Sequence, residues 1–256
     1  MTQPAYDPEA TRSVQFTVEG DHFKLQAQVT VPCGSIHVSD LLPLARGLSD
    51  QIVGESVKAV GEAGLKISCK KGCGACCRNL VAISEVEARR VRNVVEELPE
   101  PRRSEIRTRF AVARQRLEKA GLLDRLRQSE AWTEAEFMEL IAAYFPLGIP
   151  CPFLEAESCS IYAERPVTCR EFLVVSPPEH CAQPGSKEVR AVRLPMRVFN
   201  ALARMHAPGE KSGSERAVPL ILAPEWAEAH ADEPPAQPGP DLLRDLLRHL
   251  SVKPED

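Results

Sequence analysis

The chain has 256 residues, 43% of them hydrophobic and 27% charged, with a formal charge of −4, the profile of a globular protein of one large domain or two small ones. So mild a charge gives no general case for nucleic acid or an anionic membrane as partner, and no apolar run approaches the roughly 20 residues that span a bilayer. Met1 to Arg12 is polar and lacks the apolar core of a secretory signal, so a cytoplasmic protein is expected, in which cysteine clusters serve metals or catalysis rather than disulfides.

Residues 1–12 are expected to form a flexible tail. Val14, Phe16 and Val18 then alternate with polar residues, as do Phe23, Leu25, Ala27, Val29 and Val31. Period-two alternation predicts two half-buried strands over 13–31. Gly20-Asp21 would be their two-residue turn, pairing Val18 with Phe23 and Phe16 with Leu25. Such a hairpin is not stable alone and must lie on something. Cys33 follows it, far from the other cysteines, and reads as a lone buried thiol.

A helix is expected over 40–62, capped by Asp40, with Pro43 in its first turn and Leu41, Leu44, Leu48 and Ile52 as its apolar stripe. The chain then reaches Cys69-Lys-Lys-Gly-Cys73-Gly-Ala-Cys76-Cys77, where four of nine cysteines fall within nine residues. Glycines let the backbone fold sharply enough for several thiols to converge. Thiolates are soft ligands for zinc, cuprous copper and iron–sulfur clusters. The adjacent pair Cys76–Cys77 fits two nearby centres or one polynuclear cluster better than one tetrahedral ion.

Ser84 and Glu87 form a capping box that opens a helix ending before Pro99. A third helix is expected over 103–127, with Ile106, Phe110, Ala113 and Leu117 on one side and a break at Gly121. The many arginines of this pair are interleaved with glutamates and read as a solvated, ion-paired face. A fourth helix starts at Thr133, boxed with Glu136, with Trp132 and Phe137 placed as a staple.

A second cysteine group follows: Cys151-Pro-Phe-Leu, then Cys159-Ser-Ile-Tyr, then Arg165-Pro-Val-Thr-Cys169-Arg170-Glu-Phe, and finally Cys181. Pro166 can open a short helix, whose N-terminus would lower the pKa of Cys169. Arg165 and Arg170 flank that cysteine. They could offset a thiolate-rich centre or bind an anionic group of a cofactor. Residues 188–195 alternate like a strand, 196–206 suggest a short helix and 207–216 a loop. Residues 232–240 read as a Pro-rich linker before a short helix, so 232–256 stands apart from a single domain over 13–231.

Taken together, Cys-x3-Cys-x2-Cys-Cys, Cys-Pro-Phe-Leu, Cys-Ser-Ile-Tyr and Arg-Pro-x-x-Cys-Arg-x-Phe resemble the cysteine-cluster (CxxCxxCC) zinc- or iron-chelating domains, over roughly residues 65–182. The resemblance implies metal ligation by Cys69, Cys73, Cys76, Cys77, Cys151, Cys159 and Cys169, and Cys181 is added on proximity. The fold expected is mainly α (α+β): a helical domain organised around a cysteine-ligated metal centre, with an N-terminal β-hairpin. The function expected is metal binding, by an iron–sulfur cluster ([4Fe–4S] first) or by zinc or iron ions, for redox, sensing or metal handling. Two alternatives stand beside it. One branch of the family looks like flagellin lysine-N-methylase, which implies an S-adenosylmethionine-dependent protein lysine methyltransferase. The other is a structural zinc module that stabilises an interaction scaffold. The partner would be a protein or a small molecule, not a membrane or a nucleic acid.

Overall fold

The computed structural model describes residues 10–20, 23–128, 132–182, 188–205 and 216–250. Strand β1 (Thr11–Gly20) pairs antiparallel with β2 (Phe23–Pro32). The register differs from the one expected: Gly20 opposes Phe23, Val18 opposes Leu25 and Phe16 opposes Ala27. Residues 21–22, and with them Asp21 of the expected turn, lie outside the described residues. A two-residue slip leaves every side chain on its own face, so the apolar pattern could not separate the two registers. The hairpin lies on the main core through Val31, Val14, Phe16 and Val29.

After β3 (Ser35–Ile36), a 3-10 turn over Val38–Leu41 leads into α1 (Leu42–Glu62). Asp40 does not cap α1. Its carboxylate accepts the His37 amide at 2.8 Å and so closes the 3-10 turn. Strand β4 (Ala82–Ser84) precedes α2 (Glu85–Glu97), which carries the Ser84–Glu87 capping box. The long third helix is two: α3 (Arg102–Lys119) and α4 (Leu123–Arg127), parted at Gly121, whose φ of 69° favours glycine. Ile106, Phe110, Ala113 and Leu117 all point inward. Helix α5 (Glu134–Tyr144) opens on the Thr133–Glu136 box, with the Trp132 and Phe137 rings stacked 5.5 Å apart.

The second half is built from short pieces: β5 (Leu154–Glu155), β6 (Ser158–Cys159), α6 (Val167–Glu171), α7 (Pro178–Cys181) and α8 (Val198–Ala203). Then come β7 (Ala217–Pro219), α9 (Ala223–Ala229), β8 (Gln237–Pro238) and α10 (Gly239–Leu250). Residues 188–195 form no strand. They make only the single bridge Val174–Ala191. The loop expected over 207–216 falls outside the described residues except for Arg216. All four sheets among the described residues are two-stranded and antiparallel: β1–β2, β3–β8, β4–β7 and β5–β6. The protein is mainly α with small β elements.

Three apolar clusters hold this together. The largest gathers α1, α8, α10 and β2, with Ala45, Ile52, Val198, Ala201 and Leu246 fully enclosed. The second lies between α4, α5 and the end of α3 around Leu117, Leu126 and Leu140. The third joins α2, α3, β4 and β7 around Ile83, Ile106 and Phe153, and Cys151 and Cys159 pack against it. The segment expected as a linker is pinned. Arg89 donates to the His230 and Asp232 carbonyls, and Gln237-Pro238 pairs with Ser35-Ile36. Helix α10 is part of the main core because Leu242, Leu243, Leu246 and Leu250 fall on one face and are all buried.

Candidate metal centre

The first cysteine group sits on an irregular loop. Gly72 takes a φ of 84°. A 3-10 turn, Ala75–Arg78, then closes with the Cys77 amide donating to the Gly74 carbonyl at 3.0 Å. Gly74 is needed for close approach. A Cβ there would stand 2.7 Å from Leu154 Cδ1 and from Glu157 Oε2, and 3.2 Å from Glu157 Cα. Arg78 fixes the same contact. It donates to the Gly74 carbonyl at 3.0 Å and to both oxygens of Glu157, at 3.0 and 2.6 Å.

The partner in that contact is the β5–β6 hairpin. Its two loop residues, Ala156 and Glu157, have φ of 45° and 57°, the conformation of the tight hairpin turn whose twist suits paired strands. Neither is glycine, so this turn carries backbone strain. Arg109 donates to the Pro152 carbonyl at 3.1 Å and to Glu155 at 2.6 Å, and Arg102 also pairs with Glu155. Helix α3 thereby holds the hairpin, and Phe153 anchors it edge-on against Phe110, 5.6 Å between ring centres. The two cysteine groups meet directly, because the Cys151 amide donates to the Cys77 carbonyl at 2.7 Å.

Cys169 arrives on α6, whose first amide, of Val167, donates to Glu87 at 2.6 Å. Glu87 also accepts from the Ser84 amide and hydroxyl. One buried carboxylate thus caps two helices. Glu171, on α6, does the same for α8 by accepting the Val198 amide at 2.6 Å. Cys181 ends α7, which packs on the turn Ala75–Arg78. Cys69 is placed where the Ser68 amide donates to the Val174 carbonyl at 2.9 Å.

Eight cysteines are therefore gathered: Cys69, Cys73, Cys76, Cys77, Cys151, Cys159, Cys169 and Cys181. Seven are half-buried and Cys181 is buried. Burial raises the thiol pKa of Cys69, Cys151, Cys159, Cys169 and Cys181, and Cys76 is a common neighbour that raises each of them further, as it does Cys77. Cys33 is buried where β2 ends and is not among their main electrostatic neighbours. A hydrogen bond from the Cys77 thiol, helped by Arg165, holds Cys76 low against the effect of burial. Donating that proton, and being buried, pushes Cys77 far up. Burial pushes Cys151 to about 12 and Cys181 to about 11. Cys169 is also raised, by burial and then by Cys151. Glu87 at the start of α6 adds negative charge that works in the same direction. Crowded thiols that raise one another's pKa form an environment that a cation would relieve, since ligation removes the protons. Backbone amides also turn to sulfur: that of Phe153 to Cys151, of Ile161 to Cys159 and of Val174 to Cys69.

The two arginines differ. Arg170 is buried and fully engaged. It donates to both oxygens of Asp50, at 3.0 and 2.8 Å, and to the Arg165 and Ala163 carbonyls. Its role is to fold the loop 162–170 onto α1. Arg165 stacks on the Tyr162 ring at 4.7 Å, its buried Nε has no hydrogen-bond partner, and its charge favours the thiolates of Cys69, Cys76, Cys159 and Cys169. Among the described residues, no three Cys, His, Asp or Glu side chains stand at separations that ligate one ion. The donor set is of the kind that thiophilic metals take.

Glu87, Glu171 and the Arg78–Glu157 pair support the site without being readable as parts of it from sequence. Glu87 has a local signal in its capping box, but its second task at Val167 depends on tertiary structure.

Residues 68–189 match the model of the CxxCxxCC family, described as "Putative zinc- or iron-chelating domain". No curated protein and no solved structure matches the chain. Among the described residues, no helix is long and apolar enough to cross a membrane.

Proposed function

We propose, taking residues 68–189 as a segment of the zinc- or iron-chelating CxxCxxCC family, that the protein holds a metal centre through Cys69, Cys73, Cys76, Cys77, Cys151, Cys159, Cys169 and Cys181. The observation that carries this reading is the meeting of two sequence-distant cysteine groups, joined at the Cys151–Cys77 backbone hydrogen bond. An iron–sulfur cluster is the form we favour over zinc. Adjacent cysteines at 76 and 77, and the lack of paired C-x2-C knuckles, suit a cluster better than a plain zinc ribbon. Such a cluster would supply one-electron transfer, in redox or sensing work in the cytoplasm. Within that site, Arg165 stabilises the negative charge of bound thiolates. Glu87 and Arg170 hold the segment that presents Cys169.

Anaerobic purification with visible absorption and analysis for iron, zinc and sulfide tests this. Iron and sulfide in similar amounts, with a broad band near about 400 nm, the region of thiolate-held clusters, is the expected result. Zinc alone would move the centre to a structural role, and no metal at all would overturn the reading.

A further inference from the structure

We infer that the exposed edge at Ala191 is where an acidic, extended segment of a partner protein docks, adding a strand beside the cysteine site. What the partner does there rests on the metal-binding reading above; the docking itself can be tested apart from it.

Three stretches of chain lie side by side here. The Val175 amide donates to the Arg190 carbonyl at 3.0 Å, and the Val192 amide to the Leu173 carbonyl at 2.8 Å. These two bonds flank the antiparallel bridge Val174–Ala191. In a pair of this kind the bridged residues turn their own amide and carbonyl away from each other. The Val174 carbonyl accordingly accepts the Ser68 amide at 2.9 Å, on the far side. The Ala191 amide and carbonyl point to the opposite, outer edge, and among the described residues neither meets a backbone partner. Ala191 is exposed. An unpaired edge is a template for a further strand.

The charges say what kind of strand. Arg190 and Arg193 flank Ala191, and Lys66, Lys70 and Lys71 flank Ser68. All are exposed and, among the described residues, none enters a side-chain ion pair or hydrogen bond. The helical body differs, since every arginine of α3 is ion-paired or bonded to a carbonyl. Acids are fewer here. Glu188 lies on the outer stretch, Glu62 ends α1 and Glu179 lies in α7. This ladder is therefore basic in a chain whose formal charge is −4. Successive residues alternate faces, so Arg190 and Arg193 fall on opposite faces of it. A strand carrying acidic residues on both faces meets both. A second copy of this chain would instead bring like charges together, which cross-strand pairing disfavours. The docked strand would lie three strand spacings, roughly 14 Å, from the stretch that carries Cys69.

The probe is the fluorescein-labelled peptide Glu-Val-Glu-Glu-Val-Glu, titrated into the full chain as purified anaerobically, in about 20 mM salt to limit screening. Binding is read by fluorescence anisotropy and by the 15N–1H signal of the Ala191 amide, which should move downfield as its hydrogen bond forms. Ala191→Pro removes the outward N–H and leaves both ladder bonds in place. It should weaken binding by about tenfold. The double change Arg190→Glu, Arg193→Glu should weaken it at least as much. Lys119→Glu, which alters an unpaired cation at the end of α3, should weaken it by less than about twofold. No binding up to about 1 mM peptide, an unmoved Ala191 signal, or an equal loss in Lys119→Glu would overturn the proposal. So would tighter binding of an oligothymidylate, which would assign the surface to nucleic acid, or a dimer of the chain that the double change dissociates. The wild-type Ala191 signal decides if a variant is insoluble. Iron, zinc and sulfide are measured on the same samples. Peptide binding by a metal-free chain would strike the metal reading alone, and a metal-loaded chain that ignores the peptide would strike this one alone.

Discussion

Glu87 shows how one side chain couples distant parts of the molecule. It is 1% exposed, and it accepts from Ser84 on its own helix and from Val167 eighty residues on. Removing it leaves buried amides unpaired, and hydrogen bonds to a charged group contribute more than neutral ones. Glu87→Ala should therefore lower unfolding stability by about 3 kcal/mol, read from urea denaturation, and should release metal at lower denaturant than the wild type. Glu164 makes a different prediction. Its carboxylate accepts from Arg90 at 2.9 Å and from Arg46 at 2.6 Å. Arg90 and then Arg46 hold its pKa below the ordinary 4.5 against burial. A carboxyl depressed in the folded state contributes stability above its unfolded value, and that contribution is lost as pH falls through the folded value. The melting temperature of the wild type should exceed that of Glu164→Gln at pH 7. The gap should shrink below about pH 4.5, and a gap that stays constant down to pH 3 would contradict the assignment.

At the scale of elements, α10 is the clearest case of a segment whose pattern and placement were differently legible. Its leucines recur with helical spacing, so the helix could be read from the sequence. Its docking could not, because the surface that receives it is made by α1, α8 and β2. Leu246→Ala should cost about 2–5 kcal/mol, the range for emptying an enclosed leucine site, measured by thermal or chemical unfolding. An effect under 1 kcal/mol would mean the helix is not seated there. The capping boxes at Ser84 and Thr133 were readable for a simple reason: both halves lie within four residues. The proline-rich stretch expected as a linker over 232–240 misled for the converse reason. Proline marks irregular backbone, and irregular backbone is as easily pinned to a surface as free. The same limit applies to the metal site. Spacing identified the cysteines as a group. The close approach of Gly74 to Glu157 and the engagement of Arg170 by Asp50 depend on contacts 70 or more residues apart in sequence, and the hairpin at Ala156–Glu157 is held by α3 from more than 40 residues away. The expected strand over 188–195 shrinks to the single bridge Val174–Ala191, made by the Val175 amide to the Arg190 carbonyl and the Val192 amide to the Leu173 carbonyl, because alternation needs a long partner strand and finds only this short one.

For the molecule as a whole, the three apolar clusters and the cysteine site are partly separate. Neither the α1–α8–α10 cluster nor the α4–α5 cluster contains a cysteine of the site, and only Cys151 and Cys159 touch the third. Metal removal should therefore loosen the site without unfolding the helices. Far-UV circular dichroism should change little on chelation. The melting temperature should fall, as it does when a ligand of the native state is withdrawn. Trypsin should cut faster at the exposed Lys70 and Lys71. Complete loss of helical signal on chelation would show that the metal organises the entire fold.

The bond from Cys151 to Cys77 also sets an order of events during synthesis. Between those residues the ribosome must add the stretch that becomes α2 to α5, about 4–15 s of translation at 5–20 residues per second. For that interval four thiols stand within nine residues on a nascent chain, with none of their later partners yet made. On the proposed shared site, loading would be a late step that waits for the chain to return, and a cell making this protein would have to keep those first four thiols reduced and free of stray metal until it does.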